Sequence, residues 1–172
     1  MPPTLLEWQR AFARQARADL DAEEVLRTHG AMPVCQHLHM LQMACEKLGK
    51  AFLCRGGTPP DRLQASHAYI RKVLPVMAMH YASRQPSPPL AGWSWEMASI
   101  RQLAGEIEVL APAVTRSRAR TDNCEYPWLD GSGAVRAPCD EVFGSIEGLL
   151  SSPRVGPLFH KILRGAAADL AC

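Results

Sequence analysis

Histidine, glutamate and lysine at helical spacing mark where this chain could carry out acid–base chemistry. Glu46 and Lys50 stand four residues apart, which on a helix sets opposite charges side by side. His39 and Gln42 lie on the adjoining row, so His39, Gln42, Glu46 and Lys50 give one helix a polar flank. His67 interrupts an otherwise apolar stripe, and histidine is the side chain whose ordinary titration range suits proton transfer near neutrality. The plainer alternatives are a helix-surface ion pair for Glu46 with Lys50, and a satisfied core or cap histidine for His67. Arg116, Arg118 and Arg120 alternate. In an extended segment they would face one side, as contact with a phosphate backbone requires.

Cys35, His37 and His39 suggest a metal site, but on a helix 35 and 39 share a face while 37 points away, so the three do not converge on one ion. No zinc spacing, glycine-rich phosphate loop or Ser/His/Asp arrangement occurs, so neither a metal nor a cofactor is expected. Tyr126 and Trp128 have the chemistry to stack on a base. Beside Pro127 they are better read as pinning a loop onto the body of the protein.

Helices must position these residues. Thr4 and Glu7 form a capping box ahead of Leu5, Trp8, Phe12, Ala16 and Leu20, one apolar face of a first helix that ends at Gly30 and Pro33. Val34, Leu38, Leu41, Cys45, Leu48 and Phe52 make the core stripe of a second, stopped by Gly56-Gly57. A third is predicted over 61–83, with Leu63, His67, Ile70, Leu74, Met77 and Tyr81 inward and a kink at Pro75. A proline-rich linker over 85–89 precedes a fourth helix from Trp93 to about Ala111. Residues 113–138 read as a long loop, with a short hairpin around Gly131 and Gly133. Two short helices follow, one over about 140–150 and one capped by Ser152. The expectation is an all-α, four-helix up-down bundle over 1–112, with 113–172 packing on it as loop and short helices in a single domain.

The chain has 172 residues, enough to bury a core without disulfides, and a net charge of +2, which supplies no overall field for nucleic acid or membrane. The N-terminus lacks a basic, apolar signal pattern, and no run approaches a membrane span. The expectation is a cytoplasmic protein with its six cysteines reduced and no membrane partner.

The segment from Gln42 to Leu53 (Gln-Met-Ala-Cys-Glu-Lys-Leu-Gly-Lys-Ala-Phe-Leu) resembles the hallmark helix of HEPN bundles, a superfamily named for nucleotide binding. Ala16-Arg17-Ala18-Asp19-Leu20 is similar to the start of the family's preceding helix. Gly56, Gly57 and His67 match its glycine-bearing loop and early third-helix histidine, and the likeness covers roughly residues 8–111. Asn123-Cys124-Glu125-Tyr126-Pro127-Trp128 is similar to a block in a poorly characterised bacterial branch.

That resemblance implies one of two roles. Some members are metal-independent ribonucleases carrying Arg and His five to seven positions apart late in the bundle, a spacing matched here by Arg62 with His67 and by Arg154 with His160. Others are inactive partners of nucleotidyltransferases, or scaffolds. Arg62 is followed by apolar Leu63, and the fourth helix has Arg101 with no histidine after it. The expected function is therefore a non-catalytic accessory or scaffold in a toxin–antitoxin, nucleotidyltransferase-linked or defence complex, as a homodimer or part of a larger protein assembly. The alternatives are an RNA-cleaving enzyme, and a nucleotide or small-molecule sensor with His39, Gln42, Glu46 and His67 in its cleft.

Overall fold

The computed structural model describes residues 2–64, 67, 69–84, 93–112 and 123–172. Arg116, Arg118, Arg120, the linker, the side chain of Trp93 and the first part of the 113–138 loop lie outside the described residues. Helix α1 spans Leu5–Thr28 and opens on the expected capping box, with Glu7 N–H donating to Thr4 Oγ1 at 3.2 Å and Thr4 N–H to Glu7 Oε2 at 2.6 Å. Helix α2 spans Val34–Arg55, and Gly57, at φ +91°, turns the chain out of it where a side chain would be strained.

The predicted third helix is two pieces, α3 over Pro60–Gln64 and α4 over Ile70–Ser83, with His67 between them and α4 continuous through Pro75. Helix α5 spans Trp93–Glu108. A two-residue hairpin follows: β1, Trp128–Leu129, pairs antiparallel with β2, Val135–Arg136, across a turn that uses Gly133 at φ +83°. A 3-10 turn over Pro138–Asp140 and helices α6, Gly144–Leu150, and α7, Val155–Ala171, follow among the described residues.

The class is all-α, but the arrangement departs from the expected bundle in two ways. Helix α7 is long, and it presents Phe159, Ile162, Leu163, Ala167 and Leu170, each at most 2% exposed, to the same apolar cluster that holds α1, α2, α4 and α5. It lies antiparallel along α1, tied at one end by Gln9 Nε2 donating to the Leu170 carbonyl at 2.8 Å. At the other end Arg164 reaches Asp21 and Glu24 at 2.7 Å each. The second departure is direction. Asp19 meets Lys47 and Glu23 meets His37, so α1 and α2 are antiparallel. Glu46 faces His67 while Gly49 faces Tyr69 and Val73, so α4 runs in the same sense as α2 and the up-down alternation breaks.

The buried face of α1 is also turned from the predicted one. Gln9, Ala13, Ala16, Leu20 and Glu23 point inward, while Leu5 is 38% exposed and Trp8 and Phe12 only partly buried. The small Ala13 and Ala16 let neighbouring helices approach, and the polar residues of this row find partners across the interface. Among the described residues, no helix is long and apolar enough to cross a membrane.

Candidate functional site

Helix α2 carries Gln42, Glu46 and Lys50 at successive four-residue steps, and all three are buried, at 1%, 3% and 6% exposure. The break between α3 and α4 brings His67 to the same point. Lys50 Nζ donates to Glu46 Oε1 at 2.6 Å. The other carboxylate oxygen, Oε2, takes Gln42 Nε2 at 3.2 Å and His67 Nδ1 at 2.7 Å. Burial alone would raise the Glu46 pKa; the Lys50 and His67 hydrogen bonds outweigh it and hold it below the ordinary carboxylate value. An ionised carboxylate can only accept, so His67 Nδ1 donates to it, from a side chain 45% exposed. Gln42 Oε1 is buried and takes no hydrogen bond from a described residue.

The other sequence candidates lie elsewhere. His39, one turn before Gln42, is taken by the segment after α5, with Nδ1 3.8 Å from Glu125 Oε1 and 3.9 Å from Cys124 Sγ. Arg62 is exposed on α3, where its backbone carbonyl accepts from Tyr69 Oη at 3.3 Å. Arg154 is exposed at the start of α7, whereas His160 points inward: Nδ1 donates to the Gly156 carbonyl at 2.9 Å and Nε2 lies 3.3 Å from Glu23 Oε2. Arg154 and His160 therefore face different environments. Asn123 and Cys124 tie down the start of the loop, Trp128 is partly buried, and of the two aromatics Tyr126 is the exposed one. Asn123 Oδ1 accepts from the Glu125 and Tyr126 N–H groups, Cys124 N–H donates to the Leu110 carbonyl, and Tyr126 is 62% exposed.

A second buried charge escaped the sequence reading. Glu23, 0% exposed, sits among Arg27 Nε at 3.0 Å, His37 Nδ1 at 3.6 Å and His160 Nε2 at 3.3 Å. Burial opposes its ionisation, but the two histidines and Arg27 hold it down at about 2. Its signal was the row Gln9, Ala13, Ala16, Leu20, Glu23, spaced four, three, four, three, which the aromatic row beside it obscured.

All six cysteines are free, and burial pushes the Cys124 thiol up to about 12 and raises those of Cys35, Cys45 and Cys54, so these four are protonated at neutrality and poor nucleophiles. Among the described residues, no group of three or more His, Cys, Asp or Glu side chains is arranged to hold a metal ion. Comparison with protein-family models, curated proteins and solved structures found no match. The likeness to HEPN bundles accordingly rests on its own residues.

Proposed function

We propose that this chain is a cytoplasmic, non-catalytic accessory or scaffold protein that acts through protein contacts. It works as a homodimer or within a larger assembly of the toxin–antitoxin, nucleotidyltransferase-linked or defence kind that HEPN-like proteins join. One observation carries the reading: Leu129 and Val135 are register partners on the hairpin and are 61% and 73% exposed. Cross-strand partners share a face, so an apolar pair stands in water beside two strand edges that this two-stranded sheet leaves open. Val142, shortly after β2, is 78% exposed. The Gln42, Glu46, Lys50 and His67 group is consistent with this reading, since its ion pairs close on one another inside the protein.

One specific feature favours ribonuclease activity as the second reading. Glu46 fixes His67 through Nδ1 and leaves Nε2 on the far side of a half-exposed ring, the arrangement of an oriented acid–base histidine. Sedimentation equilibrium of the wild type and of the Leu129→Asp/Val135→Asp double variant, alongside incubation with a single-stranded RNA pool in EDTA, separates the two. The expected result is a wild type of at least twice the monomer mass, a monomeric double variant with an unchanged circular dichroism spectrum, and intact RNA. Cleavage that disappears in His67→Ala would transfer the function to the second reading. A monomeric wild type, or a mass that the double variant leaves unchanged, counts against the hairpin as a self-contact surface.

A further inference from the structure

Where α2, α4 and α7 end together they form a half-open pocket of about 130 Å³ whose walls include Phe52, Met77, Tyr81 and Leu170. Its mouth carries an unusual balance of charge. Asp169 lies in the last turn of α7, where the helix dipole disfavours an acid. It is held by Arg55 Nη1 at 2.8 Å through one carboxylate oxygen and by Arg84 Nη1 at 2.8 Å through the other. Two guanidinium groups face one carboxylate where three helix C-termini converge, and each arginine reaches Asp169 through a single nitrogen. The remaining donors form planar forks of the kind that match a carboxylate. At the opposite side the pocket depends on a glycine: a Cβ on Gly165 would collide with the Tyr81 ring, so Gly165 lets that ring stand against α7 and out of the cavity.

We propose that this cavity binds a small monocarboxylate with a compact apolar body, the body seated against Phe52, Met77 and Leu170 and the carboxylate on Arg55 and Arg84. The volume fixes the size class, since an apolar cavity of about 150 Å³ holds one benzene ring. The guanidinium nitrogens that Asp169 leaves unengaged are what a carboxylate would meet there. The mixture of apolar walls with a few convergent polar groups is that of a small-molecule site. This site is separate from the Glu46 and His67 group and independent of the partner-binding reading.

The test is titration of the full chain with benzoate, followed by calorimetry and by amide chemical shifts. Benzyl alcohol serves as the uncharged ring and acetate as the anion without a body. Saturable benzoate binding is expected, with shifts confined to the ends of α2, α4 and α7 and at least tenfold weaker binding of benzyl alcohol and of acetate. Arg84→Gln changes an exposed side chain and should weaken benzoate at least tenfold with an unchanged circular dichroism spectrum. Gly165→Ala should block it by driving Tyr81 into the cavity; if that variant does not fold, Arg84→Gln decides. Absence of saturation, acetate binding as well as benzoate, or full affinity in Arg84→Gln would each overturn the proposal.

Discussion

A carboxylate buried as deeply as Glu46 keeps its charge only through its partners. Removing Lys50 or Glu46 alone strands a charge in a medium that solvates it poorly, whereas removing both leaves neutral groups of similar shape. Lys50→Met and Glu46→Gln are therefore each expected to cost about 3–5 kcal/mol, and the double variant distinctly less than their sum. Urea unfolding of the four proteins in a double-mutant cycle measures this; additivity would show that the two charges are not coupled. Backbone approach is the second residue-scale constraint. A Cβ on Gly156, at the start of α7, would run into the Leu150 carbonyl at the end of α6, and neither backbone can turn aside as a side chain would. Gly156→Ala should cost about 1–3 kcal/mol, the range for overpacking, read as a lower urea midpoint.

At the scale of elements, α7 has the largest consequence. Its apolar row closes the core that α1, α2, α4 and α5 leave open on one side. A fragment of residues 1–112 should therefore fail to give a cooperative thermal transition, while the full chain gives one. A sharp transition in the fragment would restore the four-helix reading. Element type was largely legible from sequence: the stripe of α2, the cap of α1 and the Gly133 hairpin follow from local spacing and turn chemistry. The size and place of α7 were not, because its alanines and glycines carry little local signal and its role depends on contacts with α1 more than 140 positions away. The site was legible in the same partial way. Gln42, Glu46 and Lys50 share a row that any helix would create, and His67 stood out as a polar residue in an apolar stripe. That a chain break rather than a helix turn delivers His67 to Glu46, and that Glu125 draws His39 away, are tertiary facts with no local mark.

For the whole molecule, the buried acids set the response to pH. Glu23 is held at about 2, and Glu46 also lies below its ordinary value. A carboxyl whose folded value is depressed contributes stability that is complete above its unfolded value and fades as pH falls through the folded one. The contribution of Glu23 should thus be whole at pH 6 and decline between about 4.5 and 2. In Glu23→Gln the difference from wild type in urea midpoint should be widest near pH 6 and narrow toward pH 2. A constant difference across that range would remove Glu23 as the source.

The antiparallel seating of α7 along α1 also bears on how the molecule is made. Synthesis proceeds from the N-terminal side, so α1, α2, α4 and α5 precede α7, and the side of the core that α7 covers has no lid until it is made. Until then the part of the apolar cluster that Phe159, Ile162, Leu163 and Leu170 fill has no cover. Closure between partners so distant in sequence is slow compared with helix formation. Folding of the core therefore waits on α7, and apolar surface left open until then favours association over folding.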